Sequence, residues 1–337
     1  MLDILSDTNW LNWQIDFLVF LQNIRVANSE IFSQFFSSIT IFGEIWLPTL
    51  ICAIMYWCID ERKGLYLFSL FCGNVFTVHL LKLLACVYRP WVLSEQIQPF
   101  GNATEMAKSY SFPSGHSGMA SSVVGGVAYL LRNHKILTFG LTILILLIGF
   151  SRLWLGVHTP QDVIVGLGIG FLLIFVIAEV HKWADADKNR YLYILAFVNT
   201  FAILALIYLR YFKSYPMDYV NGELLVNPNA SIRVTLAYYA YALGLINGGY
   251  LCRRYFPFDA KNGSMVSKIF RGICGALCVY LVMKSCVSDA ISLKYHSKPV
   301  FCGAFIMGFF ITAIYPIIFA HIPSLLGYVK FDKGKQA

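Results

Sequence analysis

Ile136-Leu-Thr-Phe-Gly-Leu-Thr-Ile-Leu-Ile-Leu-Leu-Ile-Gly-Phe150 runs directly into Ser151-Arg152-Leu-Trp-Leu-Gly-Val-His158-Thr-Pro-Gln-Asp162. That segment runs in turn into Val163-Ile-Val-Gly-Leu-Gly-Ile-Gly-Phe-Leu-Leu-Ile-Phe-Val-Ile-Ala-Glu-Val180. Each apolar run reaches or approaches the ~20 residues that cross a bilayer. Between them stand an arginine, a histidine and an aspartate, and charges in so apolar a setting need a reason to be there. A soluble helical protein with buried core helices is the competing interpretation. It is disfavoured because such runs recur in series along the chain, 191–209 among them.

Working outward, the rest of the chain agrees. Only 13% of its residues are charged, against about 25% in a soluble domain. The sequence therefore predicts an all-α, polytopic transmembrane helical bundle of about nine spans. They fall at roughly 44–59, 64–84, 116–131, 136–150, 161–180, 191–210, 232–251, 267–286 and 300–320. Pro48 is expected to kink the first, which neighbouring helices tolerate. Ahead of it, residues 10–42 mix aromatic, apolar and polar side chains (Trp13, Asp16, Arg25, Glu30 and Gln34) and predict N-terminal interfacial helices. The start, Met1-Leu-Asp-Ile-Leu-Ser-Asp, lacks a basic stretch before an apolar core, so no cleavable signal peptide is expected. The expected organisation is an N-terminal interfacial segment over 1–42, a catalytic core over 43–180 and additional transmembrane helices over 181–337.

Nine cysteines, most of them inside apolar runs and none in a Cys-x-x-Cys pair, are expected to pack rather than bind metal. The net charge of +8 fits cytoplasmic loops facing anionic lipid better than nucleic acid. Placing Glu61-Arg62-Lys63 on one side of the membrane puts 15 of the 26 basic residues there. That side is then cytoplasmic. Lys82, Arg89, His116, Arg152 and His158 all fall on the opposite, extracytoplasmic boundary, although nothing in the assignment forced them together.

Those residues belong to three short motifs. Lys82 and Arg89 flank six residues in Lys82-Leu-Leu-Ala-Cys-Val-Tyr-Arg89-Pro90. About two helical turns apart, they can face one way before Pro90 stops the helix. Singly, a lysine or arginine near a span end snorkels to the interface. Three cations converging with Arg152 would repel one another unless an anion lay between them, which is what phosphoryl transfer requires. In Pro113-Ser114-Gly115-His116, Gly115 lets the backbone approach a ligand and the following helix points amides at an anion. His116 suits the role of general acid for a leaving oxygen. In the third motif Thr159-Pro160-Gln161-Asp162 reads as a helix start. Asp162 can act purely as a cap. With His158 four residues before it, it can also hold one ring N–H and leave the other nitrogen free as a nucleophile.

Lys-x6-Arg-Pro, Pro-Ser-Gly-His and Ser-Arg-x5-His-x3-Asp, in that order, resemble the signature of the phosphatidic acid phosphatase type 2 superfamily. That superfamily includes membrane lipid phosphatases, glucose-6-phosphatase and the soluble vanadium haloperoxidases. The resemblance covers roughly residues 43–180, without a departure in any motif. It implies that His158 is the nucleophile and forms a phosphohistidine. Asp162 orients it. His116 protonates the leaving group and then activates water. Lys82, Arg89, Arg152, Ser114 and Gly115 bind the phosphoryl oxygens. It implies no metal and no other cofactor, because the three cations take the part magnesium plays elsewhere. Phosphate and vanadate are the implied inhibitors, and two titrating histidines imply a bell-shaped pH profile.

The leading expectation is thus an integral membrane phosphatase acting on a lipid phosphate or diphosphate at the extracytoplasmic face. A lipid phosphotransferase using the same intermediate and a sugar-phosphate phosphatase are the nearest alternatives. A haloperoxidase, or a transporter or scramblase with an inactive site, stands further off. The oligomeric state is left open. Two features sit outside the motifs. Gly166-Leu-Gly168-Ile-Gly170 resembles part of a nucleotide fingerprint but lies inside a span, where a close-packing face is expected. Glu44 and His79 lie in or near apolar runs, and for them a structural role competes with lining the substrate path.

Overall fold

Capping residues and prolines mark out the helices. The structure is a computed structural model that describes residues 8–28, 30–101, 109–187, 189–220, 222–291 and 297–325. The seven N-terminal residues read above for a signal peptide lie outside that set. Helices α1 (Thr8–Ala27) and α2 (Glu30–Ile39) open the chain, and a 3-10 turn over Thr40–Gly43 leads to α3 (Trp46–Ile54). Asp60 then caps α4 (Glu61–Ala85), accepting from the Arg62 and Lys63 amides at 3.1 Å. Cys86 ends that helix in the left-handed region, φ 51°.

Next come α5 (Gly115–Met119), a π-helical turn over Ala120–Val124, α6 (Gly125–Leu130) and α7 (Lys135–Trp154). Helix α8 (Pro160–Asp185) starts with the expected device: Thr159 and Asp162 form a reciprocal capping box and Pro160 occupies the first turn. The C-terminal half holds α9 (Arg190–Ile207), α10 (Pro228–Tyr255), α11 (Met265–Ile291), α12 (Ser297–Phe309) and α13 (Tyr315–Leu325). A hairpin pairing Tyr219–Val220 with Glu223–Leu224 is the only strand structure among the described residues.

Every expected span falls on helix. By length and apolarity, however, five helical segments qualify among the described residues: Glu61–Leu93, Lys135–Trp154, Pro160–Asp185, Arg190–Phe212 and Val300–Ala320. The pair Glu30–Gly43 and Trp46–Ile59, bent by 51°, would make a sixth. These criteria do not reach nine. The segment from α5 to α6 is short and serine-rich, with Ser117, Ser121 and Ser122 buried, and α10 carries polar and tyrosine side chains inward.

Large apolar side chains line the outside of the bundle, including Phe139, Leu172, Phe175 and Phe197, all more than 60% exposed. An apolar exterior of this extent belongs in lipid. The main core joins both halves of the chain, from Trp57, Leu67 and Phe71 to Tyr239, Tyr241 and Ile311. The glycine run is a packing face. A Cβ at Gly166 would stand 2.5 Å from the Ser114 carbonyl, and one at Gly170 would collide with the Ser121 hydroxyl, while Gly168 faces open space. Helix α8 thereby presses directly on the turn that carries the second motif.

Candidate active site

The three motifs lie at the ends of α4, α5, α7 and α8, and these ends meet. Lys82 is in the last turn of α4 and Arg152 in the last turn of α7. His116 is in the first turn of α5, and Asp162 in the first turn of α8. A backbone hydrogen bond from the Ser114 amide to the Asp162 carbonyl, 2.9 Å, ties the second motif to the third.

His158 is the centre of the arrangement and is only 2% exposed. Its Nδ1 lies 3.2 Å from Asp162 Oδ2. Arg89 Nη1 lies 2.9 Å from its Nε2. A guanidinium only donates, so Nε2 carries the lone pair and Nδ1 carries the proton that faces Asp162. Asp162 is held in turn by the Thr159 amide at 2.9 Å and the Ser111 hydroxyl at 2.5 Å. Burial first, then the positive charges of Arg89, Lys82 and Arg152, push the His158 pKa well below its ordinary 6.5. The imidazole is accordingly neutral near pH 7, with an unprotonated nitrogen that accepts from Arg89 within a cluster of cations.

The cations have only uncharged partners. Lys82 Nζ donates to the Tyr110 and Ser111 carbonyls at 2.9 and 2.8 Å. Arg89 donates to the Ser109 carbonyl at 3.0 Å and the Val157 carbonyl at 2.9 Å. Arg152 Nη1 donates to the Thr40 hydroxyl at 2.5 Å, while its buried Nε has no partner. All three side chains are less than 10% exposed, and among the described residues none of them forms an ion pair. Buried charges are normally paired, because an uncompensated one is costly. Here three converge unpaired. The chemistry this arrangement suits is the binding of a compact anion with several oxygens.

His116 is half-buried, and the electrostatic reach of Arg152, His158, Arg89 and Lys82 extends to it. It is backed by Gly43, where a Cβ would meet its Cβ at 2.8 Å. Ser114 caps α5, its hydroxyl accepting from the Ser117 hydroxyl at 2.9 Å. A Cβ at Gly115 would touch only Val78 Cγ1, at 3.8 Å, so space opens beside that turn. All eight residues singled out from the sequence thus stand on elements that converge at one end of the bundle.

Sequence reading missed Ser111 and Thr40. Ser111 is fully buried and lies within hydrogen-bonding distance of both His158 and Asp162. Its only signal was a polar residue two positions before the Pro-Ser-Gly turn. Thr40, from the segment expected to be merely interfacial, reaches Arg152, and nothing local announced it. The N-terminal helices also brace the third motif: Arg25 donates to the Trp154 carbonyl at 2.7 Å and to the Gln98 carbonyl.

Known proteins resemble this chain in sequence. The family model described as PAP2 superfamily matches residues 63–186, which hold all eight residues. A second, described as PAP2 superfamily phosphatase, transmembrane extension, matches residues 236–325. Phosphatidylglycerophosphatase B of Bacillus subtilis (strain 168) is 35% identical over 104 residues, 28% of this chain and 50% of that protein. Undecaprenyl-diphosphatase of Sulfolobus acidocaldarius is 34% identical over 99 residues, 28% of this chain and 47% of that protein. The chain spans about half the length of these curated relatives. A crystal structure of a transmembrane PAP2 type phosphatidylglycerolphosphate phosphatase from Bacillus subtilis is 22% identical with a TM-score of 0.45. The match covers 54% of this chain and 90% of that one. With both family models matched in order and apolar helices long enough to cross a bilayer, the chain is an integral, multi-pass membrane protein that belongs to the PAP2 superfamily.

Proposed function

We propose that the protein is a lipid phosphatase that hydrolyses a phosphate or diphosphate ester at the extracytoplasmic face through a phosphohistidine. The observation that carries this reading is the set of three buried cations without ion-pair partners around a neutral histidine whose Nε2 is unprotonated. The names of the relatives, a phosphatidylglycerophosphatase and an undecaprenyl-diphosphatase, support a lipid substrate.

In the first step Nε2 of His158 attacks phosphorus and a P–N bond forms as the P–O bond to the leaving group breaks. His116 delivers a proton to the departing oxygen. Asp162 keeps the Nδ1 proton in place and balances the charge that develops on the ring. Lys82, Arg89 and Arg152 stabilise the equatorial oxygens, with the Ser114 hydroxyl and Gly115 amide beside them. In the second step His116 takes a proton from water, whose oxygen attacks phosphorus. The P–N bond breaks and phosphate leaves. The lipid tail would remain between helices while the head group enters at the helix ends. The extracytoplasmic assignment rests on the basic-residue bias of the opposite loops. The division into 1–42, 43–180 and 181–337 belongs to the same reading, with the site in the middle segment.

The test is phosphate release by the purified protein in detergent from phosphatidate, phosphatidylglycerol phosphate and polyprenyl diphosphate, with a chelator present. Turnover is expected, with vanadate inhibiting and His158→Ala inactive. Turnover that survived His158→Ala in a folded protein would end the proposed mechanism.

A further inference from the structure

Three side chains that the proposed mechanism does not use gather beside the catalytic residues. His79 lies one helical turn before Lys82 on α4. Tyr238 of α10 stacks on it, ring centroids 4.2 Å apart and planes 29° from parallel. The next residue of α10 fixes the register of that contact: Tyr239 donates its hydroxyl to the Phe76 carbonyl of α4 at 2.7 Å. Glu44 follows Gly43, the residue that backs His116. One of its carboxylate oxygens accepts from the Trp46 indole at 3.0 Å. Its charge acts on both Arg152 and Tyr238. None of Glu44, His79 and Tyr238 is fully buried. The space beside Gly115 is bordered by Val78, the neighbour of His79.

If His116 protonates the leaving oxygen, then the leaving group lies on this side of the phosphate. That side is lined by an anion, an imidazole and a phenol, with no fixed cation among the three. A second phosphoryl group placed there would meet the Glu44 carboxylate. A hydroxyl would find in it an acceptor, and an aliphatic carbon skeleton would find a flat face in the stacked rings. We propose that Glu44, His79 and Tyr238 form the leaving-group subsite and select a phosphate monoester of a hydroxyl-bearing alcohol over a diphosphate. This rests on the phosphatase reading and narrows it. It also gives α10 of the C-terminal extension a direct part in the site.

The experiment compares kcat/KM of the full-length protein for lysophosphatidate, a lipid monoester with a free hydroxyl and no second phosphoryl group, for soluble glycerol 3-phosphate and for polyprenyl diphosphate. The first two distinguish a lipid from a free hydroxylated monoester, and preference for either one over the diphosphate supports the proposal. The better of them should exceed the diphosphate by about tenfold or more, because like charges placed together at a recognition surface are costly. Glu44→Gln should shrink that ratio by about tenfold, chiefly through KM. Tyr238→Leu, which removes the stack, should shrink it in the same direction. Size exclusion and thermal melting confirm that each variant is folded. A wild-type preference for the diphosphate, or variants that lower every substrate in parallel, would overturn the proposal. Release of phosphate from none of the three would instead overturn the phosphatase reading itself.

Discussion

The two halves of this chain differ in the polar groups they bury. Among the described residues, the fully buried polar side chains of the C-terminal half, Ser231, Thr235 and Thr312, are neutral, and the half-buried Arg271 is the one cation there with a buried atom, its Nε, left without a partner. Thr312 donates to the Leu245 carbonyl at 2.9 Å, and the Asn199 and Asn247 amides bond each other across α9 and α10. Where that half meets α3 and α4, Trp57 donates to the Ile311 carbonyl, Tyr56 to the Thr312 carbonyl and Tyr239 to the Phe76 carbonyl, all within 3.0 Å. The motif-bearing half also buries charged groups, Lys82, Arg89, Arg152 and Asp162 among them, and four of its buried polar atoms have no partner: Arg152 Nε, Asp162 Oδ1, Asn74 Oδ1 and the Tyr110 hydroxyl. A scaffold closes its hydrogen bonds because an open one costs stability. A site that must receive a charged group leaves some open.

This contrast can be broken or sharpened by substitution. The largest effect is expected from Asp162→Asn. The amide would favour the wrong histidine tautomer, and kcat should fall on the order of 10²–10⁴-fold with the fold retained. A loss of less than tenfold would show that Asp162 is only a helix cap.

Arg152→Met should separate activity from stability. Turnover is lost, but the protein should become more stable to thermal unfolding by roughly 1–2 kcal/mol, because a buried charge with an unpartnered donor is removed. Inorganic phosphate should stabilise the wild type, by about 2.7 kcal/mol at 100 times its Kd, and should do so far less in the variant. An Arg152→Met protein that melted earlier than wild type would mean that the cation is part of the scaffold.

Tyr239→Phe, across the contact between the halves, should do the reverse. It removes the Tyr239 hydroxyl's bond to the Phe76 carbonyl, which keeps its partner within α4, and should cost about 1 kcal/mol of stability while leaving the chemical step in place. Equal stability of the two proteins would undo the contrast from the scaffold side.

The smallest effect concerns pH. The His158 imidazole is held well below its ordinary 6.5 by burial and by three cations. Its free-base form therefore persists as pH falls through 6.5, and the acid limb of kcat/KM should appear only at lower pH. Arg89→Met removes the largest of the three positive influences. In whatever activity remains, the acid limb should then move to higher pH. An acid limb already centred at 6.5 in the wild type would show that the cations do not act on His158.

Much of this was legible along the chain. Thr159, Pro160 and Asp162 announced the start of α8 because capping depends on neighbours within one turn, and the structure shows the capping box. The eight candidate residues could be picked out because each lies in a short motif, and the structure places the elements that carry them at one end of the bundle. Ser111 was visible only as a serine near a turn. Thr40 and Tyr238 were invisible, since their partners Arg152 and His79 lie more than a hundred residues away in sequence. All nine expected spans fall on helix, and five or six helical segments among the described residues are long and apolar enough to cross a membrane, which leaves the count of nine unconfirmed.

What the amino-acid sequence determined by itself is local: apolar runs that demand a bilayer, helix starts and stops, and the types of residue able to carry a phosphoryl group. What only the tertiary structure decided is convergence. It brought four helix ends together, left three cations without carboxylate partners, and laid α10 against α4 so that Tyr238 covers His79. The physical reason is that hydropathy and capping act over a few residues. Burial, charge pairing and ring stacking depend on whatever segment the fold brings alongside.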